Sequence, residues 1–287
     1  MTPPPLIPST PCAVLRASGP DAFRFLNGQL TNDMVLATPE TTLPAAALNA
    51  KGGLEAVCWV RKVGEDFLLD APLALRETLM ARLDRYLIAD DLTLTDESDD
   101  WTLAHLLTEE LSVDLPDCLV TRSSRFGVLG LDLLSRKAVT LPDTRILSPE
   151  ESETHRIAKG IPAWGKELTT GLLPPEAGLE ATAISYEKGC YLGQEVISRM
   201  KWAGKTNRHL VQLELSGATE VPRQFFHDGV AAGVVTSISP SVESPSVLAL
   251  GFRRRKFENV AEFSLGESGG ACQVRILTRL AGAKTLP

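Results

Sequence analysis

Residues 188–195, Lys188-Gly189-Cys190-Tyr191-Leu192-Gly193-Gln194-Glu195, place one thiol between two glycines, with a lysine two positions ahead and a Gln-Glu pair behind. Packing alone does not require that order. Glycine admits positive φ and close backbone approach. The run Gln194 to Met200 reads as a short helix, acidic at its start and basic toward its end. Cys190 then stands just ahead of a helix N-terminus and near the Lys188 ammonium, two surroundings that favour the thiolate. The plain alternative is a tight turn in which Cys190 is small, buried and inert. A nucleophilic Cys190 would need a base such as histidine, and nothing selects among His105, His155, His209 and His227. A thiol that engages a cofactor, a metal centre or a partner's sulfur is at least as consistent with the motif.

Other chemistries lack their signatures. The chain has no HExxH, no G-x-G-x-x-G, no P-loop and no G-x-S-x-G elbow, so a built-in metal, a nucleotide cradle or a serine nucleophile is not indicated. The 287 residues, 44% of them hydrophobic, suffice for two or three domains. A formal charge of −7 argues against nucleic acid held by net charge. Arg253-Arg254-Arg255-Lys256 reads as a solvated strand end. Trp202, between Lys201 and Lys205, reads as a stacking platform or a half-buried anchor. The five cysteines (12, 58, 118, 190 and 272) are far apart and form no CxxC pair, which points away from a disulfide framework and toward a reducing compartment. No run reaches the roughly 18 apolar residues of a membrane span. Met1 to Pro11, with five prolines, has neither signal nor transit character and reads as a loose lead-in. A soluble cytoplasmic protein is expected, with no membrane partner and no direct nucleic-acid binding.

The elements that must position the motif follow from periodicity. Ala13 to Ala17 predicts a strand, and Ser18-Gly19-Pro20-Asp21 starts a helix whose buried face carries Phe23, Leu26 and Leu30. Leu43–Leu48, Leu54–Arg61 and Phe67–Asp70, with turns at Lys51-Gly52-Gly53 and Gly64-Glu65-Asp66, predict a meander. Pro72 opens a helix with Leu75, Leu79, Leu83 and Leu87 in one stripe. Strands at Leu92–Leu94, Trp101–Leu107, Cys118–Arg122 and Phe126–Leu134 follow. Ser148-Pro149-Glu150-Glu151 then starts a helix that stops near Gly160. From Gly160 to Gly189 periodicity is scarce, as in a functional loop. Leu210–Leu215, Val230–Ile238, Val247–Arg253 and Cys272–Leu277 predict a β-rich tail, read as a barrel. The fold class is α+β: a first lobe over residues 1–95, a second over 96–205 that carries the motif, and a barrel over 206–287.

Residues 188–195 resemble the K-G-C-Y-x-G-Q-E signature of the YgfZ family, folate-binding proteins of iron–sulfur cluster assembly and repair related to the T-protein (aminomethyltransferase) of the glycine cleavage system. Gly19-Pro20-Asp21-Ala22, with Phe25 through Asp33, resembles the first helix and turn of both groups. Leu48-Asn49-Ala50-Lys51-Gly52-Gly53 resembles their first hairpin, and Arg156 to Pro162 the helix end before the long loop. The resemblance covers most of the chain. It implies two mixed, ferredoxin-like lobes and a β-barrel, arranged as a ring around a folate-sized hole. Tetrahydrofolate, or a folate derivative, is then the implied cofactor, and Asn49, Arg156, Glu176, Glu195 and Arg199 are candidate contacts. No metal site is implied.

Two departures bear on function. T-proteins carry a paired Asp shortly after the hairpin glycines, one of which is associated with methylene transfer. Here the aligned positions are Ala56 and Val57, with Glu55 one residue away on the other face of a strand. Where many relatives have R-x-E-A-G, this chain has Arg156-Ile157-Ala158-Lys159-Gly160. The resemblance therefore implies an accessory factor for iron–sulfur client or assembly proteins, tRNA-modifying enzymes among the clients. Cys190 and Lys188 would be its reactive pair, with Gly189, Tyr191, Gly193, Gln194 and Glu195 supporting them. The alternatives are a folate-dependent one-carbon transferase in which Glu55 replaces the lost acid, and a folate-binding module that does no chemistry.

Overall fold

The computed structural model describes residues 3–111, 113–203, 206–216, 220–221, 223–240, 246–266 and 272–280. The chain forms two compact units, each discontinuous in sequence: Met1–Ser148 with Thr182–Val196, and Pro149–Ala181 with Ile197–Pro287.

In the first unit the described residues form one nine-stranded sheet. Its strands are β1 (Pro5–Ser18), β2 (Leu43–Leu48), β3 (Leu54–Val63), β4 (Asp66–Pro72), β5 (Thr93–Asp96), β6 (Thr102–Leu106), β7 (Cys118–Ser123), β8 (Gly130–Ser135) and β9 (Arg145–Ile146). The order is β2-β3-β4-β1-β6-β8-β7, with β5 and β9 also on β1. Helices α1 (Ala22–Gln29) and α2 (Arg76–Asp84) belong to the same unit. Two mixed halves hang on β1. Its Cys12–Ala17 stretch pairs with β4 and Leu15–Ser18 with β5, while Leu6–Pro11 pairs with β6 and Pro5–Leu6 with β9.

The proline-rich start is therefore not a loose lead-in. Leu6 is fully buried and Ile7 nearly so, which is enough apolar anchorage to order the segment. Two of the three prolines of β1 fall where a strand tolerates them: Pro5 opens the strand, and Pro8 lies at the register shift between Ile7 and Thr10. The leucine stripe of α2 is confirmed at Leu75, Leu79 and Leu83, all buried. The helix proper begins only at Arg76, after a 3-10 turn over Leu73–Leu75, and it ends before Leu87.

In the second unit, α3 (Pro149–Ala158) opens with Glu150 and Glu151 in its first turn, favourably placed at the positive end of the helix dipole. Its last carbonyls, Ile157 and Ala158, accept from Gln212 Nε2 at 3.1 and 3.0 Å, which satisfies groups a helix end leaves unpaired. Helix α4 (Gln194–Ala203) starts in the first unit and continues in the second. The predicted barrel is present and closed, in the order β10 (Arg208–Leu215), β13 (Val247–Arg254), β12 (Val230–Ile238), β11 (Arg223–His227), β14 (Glu262–Ser264) and β15 (Gln273–Arg279). Val211, Leu213, Phe225, Val235, Phe263 and Val274 belong to its core. The short strands β9, β11 and β14 carried too little alternation to be read from sequence.

The first unit encloses a cluster of charges. Arg61 on β3, Asp70 on β4 and Asp132 on β8 are fully buried. Arg125, between β7 and β8, joins both acids: its Nη1 lies 2.8 Å from Asp70 and its Nη2 2.7 Å from Asp132. Arg61 bonds Asp70 directly. His105 on β6 meets Asp132 at 2.7 Å, and Trp59 stacks under the Arg125 guanidinium at 4.1 Å. Burial alone would raise the Asp132 pKa, but Arg125, His105 and Arg61 outweigh it and hold the group below its ordinary value.

Removing one member of such a set strands its partners without water, a loss of about 3–5 kcal/mol. Asp132→Ala should lower the urea-unfolding free energy at neutral pH by that amount. The carboxylate stabilises the folded state above its unfolded pKa, near the ordinary 3.8, and that contribution fades as pH falls below it. The gap between wild type and variant should therefore shrink on acidification; a gap constant with pH would contradict the ion-network reading.

Candidate functional site

The motif is anchored on the C-terminal end of α1. Lys188 Nζ donates to the carbonyls of Asn27, Leu30 and Asn32 at 2.6, 2.9 and 2.6 Å. Three carbonyls match the three N–H groups of an ammonium. Burial pushes the Lys188 pKa down to about 8, with Asp33 opposing the shift. The Tyr191 ring centroid lies 5.4 Å from the same nitrogen. Tyr191 is buried, and burial, then Tyr186, pushes its hydroxyl pKa up.

The segment before the motif is knitted to the same place. Thr31 donates through Oγ1 to Ala183 O at 2.6 Å and accepts Ala46 N at 2.9 Å. Asn32 Nδ2 bridges Pro44 O at 2.8 Å and Thr182 O at 3.0 Å. Ser185 N donates to Thr31 O, and Leu192 N to Gly28 O. The Phe25–Asp33 and Lys188–Glu195 stretches, separate pieces of the family resemblance, are thus bonded to each other.

The glycines divide in role. Gly193 has φ +85°, and a Cβ there would lie 2.6 Å from Asn49 O and 3.1 Å from Leu48 Cβ. The motif backbone therefore presses on the tip of the β2–β3 hairpin, where only glycine fits. Gly189 has ordinary φ, and a Cβ would meet nothing within 4 Å. The turn geometry expected of both glycines is used by Gly193 alone. Asn49 builds the hairpin tip: its Oδ1 accepts from Lys51 N at 2.9 Å and Gly53 N at 3.1 Å.

Arg82 of α2, which sequence reading passed over, completes the frame. It is buried, donates to Leu48 O through Nε and Nη2 at 3.2 and 2.9 Å, and reaches Gln29 Oε1 at 2.9 Å. Its Nε also lies 2.7 Å from Glu55 Oε2, and Arg85 approaches Glu55 from outside. Glu55 is therefore held by two guanidiniums. Ala56 is fully buried and Val57 nearly so, on opposite faces of β3. A basic residue inside a leucine stripe gives a sequence-level signal, since burying its head requires acceptors.

Cys190 is exposed, whereas Cys12 and Cys58 are buried and Cys118 is half-buried; all five cysteines are free thiols. Burial pushes the thiol of Cys12 up to about 12 and that of Cys118 to about 11, and it raises Cys58 as well. Those three are held protonated, which is the inert form. Gln194 opens α4, its amide accepted by Tyr191 O at 3.2 Å. Glu195 sits exposed in the first turn, and Arg199 is exposed further along. Trp202 is 86% exposed, so it is a solvent-facing side chain rather than a half-buried anchor; Lys205 lies outside the described residues.

The remaining candidate contacts are in the second unit. Arg156 is buried and spends all five N–H donors: two on Glu153, and one each on Glu167, Ile161 O and Ser237 Oγ. Glu167, fully buried, also accepts from Ala163 N, Thr236 and Ser237. Glu176 is buried and accepts from Arg208 Nε at 2.9 Å. Among the described residues no group of three or more His, Cys, Asp or Glu is placed to hold a metal ion, and no helix is long and apolar enough to cross a membrane.

Gly193→Ala should cost on the order of 2 kcal/mol or more, from positive φ and the clash with Asn49 O. Thermal unfolding measures it, with faster amide exchange expected over residues 48–53 and 188–193. A variant as stable as wild type, with unchanged exchange, would show that the motif does not bear on the hairpin.

No family model matches the chain. It is 27% identical over 235 residues to the tRNA-modifying protein YgfZ of Klebsiella pneumoniae, covering 73% of this chain and 71% of that one. It is 26% identical over 254 residues to the mitochondrial iron-sulfur cluster assembly factor IBA57 of Mus musculus, covering 79% and 69%. A homolog of that factor from Pyricularia oryzae is 25% identical, and the match spans 59% of its length. Among solved structures, glycine cleavage system aminomethyltransferase T from Bartonella henselae superposes with a TM-score of 0.79 at 18% identity, over 96% of this chain and 86% of that one. The chain is a relative, over about three quarters of its length, of proteins named YgfZ and IBA57, and it has the fold of an aminomethyltransferase T-protein.

Proposed function

We propose that this protein is a tetrahydrofolate-binding accessory factor for the assembly or repair of iron–sulfur clusters in client enzymes, tRNA-modifying enzymes among them, with Cys190 as its working thiol. The observation that carries the reading is the presentation of Cys190: an exposed thiol on a loop bonded to the end of α1 and packed against the tip of the β2–β3 hairpin, in a chain where burial silences Cys12, Cys58 and Cys118. The names of the YgfZ and IBA57 relatives support it. Once deprotonated, an accessible thiol can bind a client's cluster iron or exchange with a partner's sulfur.

The folate part rests on the family resemblance and the T-protein fold. Its assigned contacts do not fit a ready cradle. Arg156 has no donor to spare, Glu176 is bonded to Arg208, and Asn49 turns its carbonyl onto its own hairpin. Glu195 and Arg199 are the exposed members of the set. The one-carbon transferase reading is disfavoured by Ala56 and Val57, which are packed and apolar, and by Glu55, which is bound to Arg82.

In a strain lacking the protein, Cys190→Ser should restore less than about a tenth of the activity of an iron–sulfur-dependent tRNA-modifying client, as expected when an essential thiolate is lost. Full restoration would overturn the thiol reading. Incubation with tetrahydrofolate and an aminomethyl donor should give a saturable binding heat by calorimetry but no methylenetetrahydrofolate. Turnover that disappears in Glu55→Gln would establish the transferase instead, and absence of heat would remove folate from the proposal.

A further inference from the structure

Helix α1 ends with carbonyls that have no partner inside the helix, as every helix does. Leu26 O is taken by Leu30 N, the local solution. The next two are satisfied by the motif: Asn27 O by Lys188 Nζ at 2.6 Å and Gly28 O by Leu192 N at 3.3 Å. The same ammonium takes Leu30 O and Asn32 O, in the turn that follows. These donors come from some 160 residues further along the chain. The negative end of the helix dipole adds to the attraction for a cation at this position.

We propose that Lys188 is a positioning residue, a tertiary cap that fastens the motif loop to the end of α1 and thereby holds Cys190 out in solvent, rather than a charge that activates the thiol. Its three N–H groups are each assigned to a carbonyl, and the aromatic face of Tyr191 lies beside the ammonium. Exposed Gly189 and Cys190 lie between the two points at which the loop is fastened, Lys188 and Leu192. The functional weight of the cap rests on Cys190 being the working thiol, whereas its test reads the loop itself.

Lys188→Arg and Lys188→Met separate the two roles, because arginine keeps the charge but not the compact three-way donor. Amide exchange over residues 185–193 should accelerate at least tenfold in both variants. The midpoint of the pH profile for Cys190 alkylation by iodoacetamide should be the same in both. Wild type should show a second inflection near pH 8, where the ammonium loses its third N–H, and both variants should lack it. Unchanged exchange, or a midpoint raised by about one pH unit in Lys188→Met and restored in Lys188→Arg, would assign Lys188 to thiol activation instead. Should the variants fail to fold, acylation of wild-type lysines decides. Corrected for the fraction of each lysine present as free amine, the rate of Lys188 with an N-hydroxysuccinimide ester should be at least tenfold below that of exposed Lys51, and equal corrected rates would overturn the cap. A Cys190→Ser protein that fully supports its client would remove the thiol role and leave these readouts untouched.

Discussion

Two arginines and two aspartates share the interior of the first unit, and the sheet around them depends on that balance. Taken singly, each charge would be expelled from a low-dielectric core at a cost of several kcal/mol. Together, Arg61, Asp70, Arg125 and Asp132 sum to zero formal charge, and Asp132 accepts a further bond from His105. The members come from β3, β4, β6, β8 and the β7–β8 connection, so the bonds tie strands on both sides of β1. β4 and β8 are buried on both faces, so hydrophobic burial alone specifies their register weakly, whereas a charge network specifies it strongly. A slip of one residue in β4 or β8 would point Asp70 or Asp132 to the opposite face and leave an arginine unpaired.

The same rule builds the site. Buried or half-buried cations, each answered by oxygens from distant segments, recur at its supports. Arg82 gathers Leu48, Gln29 and Glu55. Lys188 gathers Asn27, Leu30 and Asn32. In the second unit Arg156 does the same between α3, Glu167 and β12. Backbone carbonyls do much of the accepting, and they are fixed by secondary structure before the cation arrives. Such acceptors are organised in advance, so a lysine and an arginine can place a loop without a large apolar contact of its own. The hairpin tip, the end of α1 and the motif loop are thus positioned as one assembly.

What sequence reveals here follows from the range of each interaction. Strand and helix periodicity is local, and the meander β2–β4, the α2 stripe and the main barrel strands were legible from it. Residues 188–195 were legible as a motif because Cys190 and Gly193 break every packing pattern. Pairings that span the chain were not legible: Lys188 with α1, and Asp132 with Arg61 and Arg125. Arg156 shows the limit clearly. Its position suggests a ligand contact, yet its guanidinium is consumed by Glu153, Glu167, Ile161 and Ser237. The prolines of β1 misled for a related reason. Proline removes a donor locally, whereas the strand is held by Leu6, Ile7 and partners about a hundred residues away.

The packed apolar pair Ala56 and Val57 on β3 and the presentation of Cys190 bear on one question, where chemistry can occur on this fold. A carboxylate at Ala56 would be wholly enclosed, and Arg82, the cation bonded along that strand, is already bound to Glu55. Such an acid would be protonated or destabilising. At the same time the motif loop spends an ammonium, a tightly packed glycine and a network of backbone hydrogen bonds on fixing a segment whose central side chain touches solvent. A fold whose reactive group acted inside a closed pocket would gain nothing from ordering an exposed thiol. A fold whose thiol must meet iron or sulfur carried by another protein needs both features, reach into solvent and a fixed approach. On that ground the proposed accessory role suits the enclosed apolar Ala56 and Val57 and the anchored Cys190 together, whereas the transferase alternative leaves the anchorage without a purpose.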